Sequence, residues 1–181
     1  MKRLCMAILG FSVACGIAHA GGLDLDGTEL LTASGERVTF SDELFDSPVT
    51  VISFTFTGCR SICPVSDLVM SQLADMADEA GTDVALLTFT IDPLNDSPAV
   101  LEVHREKYGF EKNENWRWIT GEPGEVWHVL DRLGMDAGAL DDHESYFIVA
   151  SKNATEALSL WETTATAETI LAAAREIAGL R

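Results

Sequence analysis

Val49 to Pro64 reads VTVISFTFTGCRSICP, and the division of that run decides the fold. Its first half, Val49 to Phe56, carries no charge and is rich in β-branched and aromatic residues, as a strand buried on both faces should be. Its second half, Thr57-Gly58-Cys59-Arg60-Ser61-Ile62-Cys63-Pro64, is a turn that feeds a helix. Proline fits the first helical turn, where its missing N–H costs nothing, and it biases the preceding Cys63 away from helical dihedrals. The apolar spacing that follows predicts a helix from Cys63 to Ala80, ended by Gly81, with Leu68, Val69, Leu73, Met76 and Ala80 on one stripe.

Working outward, Val84 to Thr90 (VALLTFT) is a second buried strand, and Ser97-Pro98 opens a helix that runs to Tyr108 and stops at Gly109. Trp116 to Ile119 reads as a short strand and Pro123 to Leu133 as a short helix. Ser145 to Val149 and Ala157 to Trp161 read as a hairpin around Lys152-Asn153, and a helix from about Ala165 to Ala178 closes the chain. Upstream, Arg37 to Phe40 follows the Ser34-Gly35 turn as the second strand of an opening hairpin. Strands alternating with helices imply a partly parallel sheet covered on both faces, with the late hairpin adding antiparallel strands. The expected class is α/β: a thioredoxin-like fold with a mixed central sheet flanked by helices and an N-terminal β-hairpin extension.

The first twenty residues stand apart. Lys2 and Arg3 precede an apolar run from Leu4 to Ala18, and Ala18-His19-Ala20 supplies the small-x-small pattern of signal peptidase cleavage. The run is short for a membrane span, so a cleaved secretory signal over 1–20 is preferred to a retained anchor. Residues 21–181 are then a single domain, with no membrane anchor expected after cleavage. Export implies an oxidising compartment, read as a bacterial periplasm.

The chain has 12 Lys+Arg against 29 Asp+Glu, and its net charge of −17 becomes −19 when Lys2 and Arg3 leave with the leader. Nucleic acid is excluded as a partner, because phosphate binding needs clustered basic side chains. Of four cysteines, Cys5 and Cys15 also leave with the leader, so the mature chain keeps Cys59 and Cys63. With 47% hydrophobic residues over this length, the core needs no metal or disulfide merely to fold.

Strand ends in open α/β sheets form the crevice where ligands bind, and N–H groups at a helix start lower a thiol pKa from about 8.5 toward neutrality. Both sulfurs are therefore expected on one exposed rim, ionised and within reach of each other. Such a pair can close a disulfide or hold one metal ion. A purely structural disulfide over so small a loop would remove little unfolded-state entropy. A metal needs a further ligand. His104 and His128 fall within helices and read as ordinary surface or half-buried residues, and Met70 and Met76 as core. His143 instead sits in Asp141-Asp142-His143-Glu144, just before the strand that should neighbour Val49 to Phe56. Two thiolates and an imidazole suit copper, as Cu(I) or Cu(II), whereas structural zinc would want a fourth ligand such as Asp142 or Glu144.

Three stretches in order, Cys59-x-x-x-Cys63-Pro64, Ile91-Asp92-Pro93-Leu94-Asn95-Asp96-Ser97-Pro98 and Asp142-His143 before an apolar strand, resemble the SCO/SenC family of copper-handling thioredoxin-fold proteins. The resemblance runs from about Arg37 to the C-terminus. It implies that Cys59 and Cys63 are copper ligands and a redox-active pair, that His143 is the third ligand, and that Asp92 organises the site without ligating. It implies a metallochaperone that delivers copper to the copper centre of cytochrome c oxidase, with subunit II as the acceptor. The alternative is a thiol-disulfide reductase acting on partner cysteines without copper. Peroxide reduction is a lesser reading, Arg60 being the one candidate activating residue beside a cysteine.

Overall fold

The computed structural model describes residues 18–136, 140, 146–161 and 163–179. In chain order its elements are β1 (Ala18–Gly21), β2 (Glu29–Thr32), β3 (Arg37–Thr39), β4 (Val49–Thr55), α1 (Cys63–Ala80), β5 (Val84–Thr90), α2 (Pro98–Tyr108), β6 (Trp116–Thr120), α3 (Pro123–Arg132), β7 (Tyr146–Ser151), β8 (Glu156–Trp161) and α4 (Ala167–Ile177). The strands form one sheet in the order β1-β8-β7-β4-β5-β6-β2-β3. The β4–β5 and β5–β6 pairs are parallel, and the other pairs are antiparallel. The mixed sheet and thioredoxin-like arrangement expected from the element order are therefore present.

The uncharged runs lie at the centre because every residue of β4 and β5 is buried, each strand being covered on both faces. On one face, α1, α2 and α4 bring Met70, Leu73, Leu101, Ile170 and Ala174 against Val51, Leu86, Trp116 and Val149. On the other, α3 and a short 3-10 turn at Asp42–Phe45 bring Val126, Val129, Leu44 and Phe45 against Ile52, Leu87, Phe89 and Ile148. Gly81 and Gly109 end α1 and α2 in left-handed backbone (φ 62° and 75°), their N–H groups reaching back to the last helical carbonyls.

Several local expectations change. Ser97 precedes α2 but its hydroxyl makes no cap hydrogen bond. The last helix starts two residues later than expected, because Thr166 and Thr169 form a reciprocal capping box there. The opening hairpin, β2–β3, joins the sheet beside β6. Most of the expected leader lies outside the described residues, but Ala18–Gly21 pairs with β8, across the position where cleavage after Ala20 was expected. The chain then crosses the α3 face, where Leu23 and Leu25 pack on the core, Asp24 pairs with Arg132, and Asp26 meets His128 at 2.5 Å.

The inward stripe of α1 matches the expected one only in part: Leu73 is buried and Val69 and Met76 pack against the core, but Ala80 is exposed. Cys63, Ser66, Asp67, Met70, Leu73, Ala74 and Ala77 face the sheet, while Leu68 is 54% exposed. The helix is turned so that two polar residues point inward near its start, toward polar strand ends, and Leu68 points outward. Leu73→Ala should therefore cost about 2–5 kcal/mol of stability through lost packing and a cavity. Leu68→Ala should stay within about 0.5 kcal/mol. Denaturant midpoints of the two variants check the rotation directly.

Candidate functional site

On the face that carries α1, β4 begins apolar with Val49 and Val51 and becomes polar with Ser53 and Thr55. In β5 the register sets Thr88 beside Ser53 and Thr90 beside Thr55. Each of these buried hydroxyls has a partner. Ser53 and Thr88 share a bond of 2.7 Å, the Trp116 indole N–H donates to Thr88 at 2.8 Å, and Thr55 donates to the Asp67 carboxylate at 3.4 Å. His104 approaches the same carboxylate at 3.5 Å from α2 and lies between the Tyr108 and Trp118 rings. It is a half-buried structural histidine, as its helical position suggested.

Above this polar patch, β4 runs into the cysteine loop. The Cys59 N–H donates to the Phe56 carbonyl at 3.0 Å, closing a turn, and the chain enters α1 at Cys63. The prolyl bias therefore does not keep Cys63 out of the helix. Ile62, the N-cap, is in helical backbone and offers no side-chain acceptor. The acceptor is sulfur: the Cys63 N–H donates to Cys59 Sγ at 3.3 Å.

The two thiols differ sharply. Cys59 is half-buried, and Cys63 is 2% exposed; both are free. Partial burial opposes ionisation of Cys59, but hydrogen bonds from the Cys63 thiol, the Ser61 and Cys63 backbone and the Ser61 hydroxyl together hold it below the ordinary thiol range. Burial pushes the Cys63 thiol far up, and the Cys59 sulfur and the Asp67 charge push it further. The expectation of two ionised sulfurs on one rim is thus corrected. One sulfur sits at the rim as the readier thiolate, and the other stands behind it as a thiol.

The Ile91–Pro98 stretch organises the site, but through a different residue from the one expected. Asp92 is half-buried; it accepts from Asn95 Nδ2 at 2.8 Å and shapes its own loop. The residue that reaches the cysteine loop is Asp96, which is fully buried. Its carboxylate accepts from the Thr57 N–H at 3.1 Å, the Thr57 hydroxyl at 2.5 Å and the Thr90 hydroxyl at 2.6 Å. The sequence marks Asp96 only as part of the Ile91–Pro98 stretch, with no role of its own, and Asp67 not at all. The signal available was the run of hydroxyls (Ser53, Thr55, Thr57, Thr88, Thr90) near the ends of otherwise apolar strands, since buried hydroxyls need partners.

Cys59 opens on a crevice of about 370 Å³, lined also by Phe56, Gly58, Arg60, Ser61, Ile62 and Leu140. His143, with Asp142 and Glu144, lies outside the described residues. Of their surroundings, Leu140 lines the crevice and Tyr146, the first residue of β7, packs its ring 5.3 Å from Phe54 of β4. Among the described residues no cluster of three or more His, Cys, Asp or Glu side chains forms a metal site. The two sulfurs nevertheless fit a soft, thiophilic ion, one being the readier to ionise and the other adjoining it. Among the described residues no helix is long and apolar enough to cross a membrane.

A sheet of this order with a Cys-x-x-x-Cys pair at the start of α1 defines a thioredoxin-like dithiol protein. The SCO1/SenC family model matches residues 27–179, and the chain belongs to that family. It is 32% identical over 79 residues to a SCO1 protein homolog of Bacillus subtilis, a match that spans 44% of this chain and 40% of that protein. Among solved structures, it superposes on BsSco, described as a member of the Sco family of cytochrome c oxidase assembly proteins with a disulfide switch. That match has a TM-score of 0.70 at 22% identity, covering 88% of this chain and 96% of the other. It also superposes on yeast Sco1 with copper bound, with a TM-score of 0.66 at 22% identity, covering 86% and 90%. At these identities the superpositions establish the fold.

The asymmetry of the thiols has a direct readout. In reduced, metal-free protein, iodoacetamide should modify Cys59 well before Cys63. A lowered pKa keeps the thiolate present as pH falls, so Cys59 alkylation should persist below the pH at which an ordinary thiol stops reacting. Cys63, shifted the other way, should stay protected through the same range. Peptide mapping across a pH series measures both.

Proposed function

We propose that this protein captures one copper ion through the sulfurs of Cys59 and Cys63, with the His143 imidazole as third ligand, and passes it to an acceptor by ligand exchange. The observation that carries the reading is the dithiol at the start of α1, where one sulfur, the readier of the two to ionise, lies at a crevice mouth and accepts the N–H of the residue that bears the second. Membership of the SCO1/SenC family and the copper-bound yeast relative support copper as the ion. Thiolates favour Cu(I), and an imidazole ligand accommodates Cu(II) as well. Support for His143 comes from its neighbours: Leu140 borders the crevice, and β7 pairs with the strand that leads to Cys59.

Copper here is cargo. Apolar layers pack on both faces of the sheet without it, so the ion is free to leave. Thiols ligate as thiolates, so uptake releases the proton that Cys63 holds. The proposed acceptor is the copper centre of cytochrome c oxidase, in subunit II, in keeping with the description of BsSco as belonging to an assembly-protein family. The proposed setting is the periplasm, reached through cleavage of a leader over 1–20, with 21–181 as the mature domain.

A second reading is favoured by the unequal thiols. Cys59 as thiolate would attack a partner disulfide and form a mixed disulfide. Cys63 would then resolve it, leaving Cys59–Cys63 oxidised and the partner dithiol reduced. The disulfide switch described for BsSco supports this chemistry in a relative.

Mature protein titrated with copper should take up about one ion per chain and develop a sulfur-to-copper absorption band. Cys59→Ser, Cys63→Ser and His143→Ala should each weaken binding by more than tenfold, about 1.4 kcal/mol. Unchanged affinity in Cys59→Ser and His143→Ala overturns the copper reading. Trapping of a partner on Cys63→Ser, undiminished in His143→Ala, supports the reductase instead.

A further inference from the structure

Among the described residues, Asp96 is a carboxylate with no exposed surface that forms no ion pair with Lys, Arg or His. Its neighbourhood makes up for this with hydroxyl and amide donors. Three groups point at its two oxygens: the N–H and hydroxyl of Thr57, and the hydroxyl of Thr90. Its own N–H donates to the Asp92 carbonyl at 2.9 Å, and its carbonyl accepts from the Thr120 hydroxyl at 2.7 Å. Thr90 in turn accepts from the Asp92 N–H at 3.0 Å while donating to Asp96. One residue between β5 and α2 thus joins the chain just beyond β4 to the last residues of β5 and β6.

The join falls at a particular place. Thr57 is two residues before Cys59 and lies inside the turn closed by the Cys59 N–H to Phe56 carbonyl bond. Between Thr57 and Cys59 stands Gly58, whose backbone has more freedom than that of any other residue type. Both polar groups of Thr57 end on Asp96, so the chain is clamped immediately before that freedom begins. What the clamp sets is where the Cys59 sulfur sits relative to the Cys63 N–H, now 3.3 Å away.

We propose that Asp96 is the positioning residue of the dithiol: through Thr57 it holds Cys59 against the start of α1, and the site works only while that anchor is intact, although Asp96 touches neither sulfur. The proposal rests on Cys59 and Cys63 being the functional pair, and it holds for copper capture and for disulfide exchange alike. An asparagine in its place has one acceptor oxygen for three donors, so at least one anchoring bond is lost or weakened. Thr57→Val removes a hydroxyl with little change in shape and leaves the carboxylate in place, whereas Thr57→Ser keeps the hydroxyl.

The test uses reduced, metal-free protein, with far-UV circular dichroism to confirm folding, and measures the ratio of Cys59 to Cys63 alkylation by iodoacetamide. Asp96→Asn and Thr57→Val should lower that ratio at least fivefold, and Thr57→Ser should restore it. After copper loading, the sulfur-to-copper band should move or weaken in the same two variants and match wild type in Thr57→Ser. Should Asp96→Asn fail to fold, Thr57→Val decides. A wild-type ratio in folded Thr57→Val, or a failure of Thr57→Ser to rescue, overturns the proposal. Wild-type protein that takes up no copper but shows the Asp96-dependent ratio overturns the copper reading and leaves the positioning role standing.

Discussion

The first turn of a helix carries N–H groups that have no partner within the helix, and a protein usually meets them with oxygen. Here the Ile62 side chain has no oxygen to offer and Pro64 has no N–H, and the Cys63 N–H is met by sulfur, that of Cys59. That contact joins a structural need to a chemical one. An acceptor at a helix start is favoured when it is negative, so the interaction that caps α1 also draws Cys59 toward thiolate. The price is paid by Cys63, which is enclosed beneath the loop and kept as a thiol.

That contact survives because the sheet changes character along its length. Low on the α1 face, Val49, Val51, Val84 and Leu86 pack against Met70, Leu73 and Ala77 and supply cohesion. Near the strand ends, Ser53, Thr55, Thr88 and Thr90 replace them, and the buried carboxylates Asp67 and Asp96 are met there by hydroxyl and amide donors. Apolar packing is tolerant of direction, whereas hydrogen bonds are not. The fold therefore places its tolerant contacts where it needs strength and its directional ones beside the reactive group.

Most of the fold was legible because its central strands speak plainly. Val49 to Phe56 and Val84 to Thr90 lack charge and are rich in branched and aromatic side chains, and α1 and β5 lie where the periodicity put them. The rotation of α1 was not legible. Leu68 reads as core, but Ser66 and Asp67 take the inward positions because the opposing strand ends are polar, a fact about partners distant in sequence. The cysteine pair was visible as a motif, yet its asymmetry depends on how deep each sulfur lies, which spacing does not encode. Asp96 was hidden for a similar reason: in the chain it resembles Asp92, and only folding brings Thr57, 39 positions away, against it. His143 was singled out by sequence alone.

The outer strand β3 has a consequence for how this molecule meets others. It has three residues, while the seven-residue strands β4 and β5 are enclosed at the centre. A short outer strand gives a neighbouring chain little backbone to pair with, which is one way natural sheets resist lateral growth into aggregates. A protein with a reactive sulfur at its rim is always at risk of unplanned encounters. At the β3 edge the sheet adds little adhesion of its own, so an encounter lasts according to what the sulfur finds.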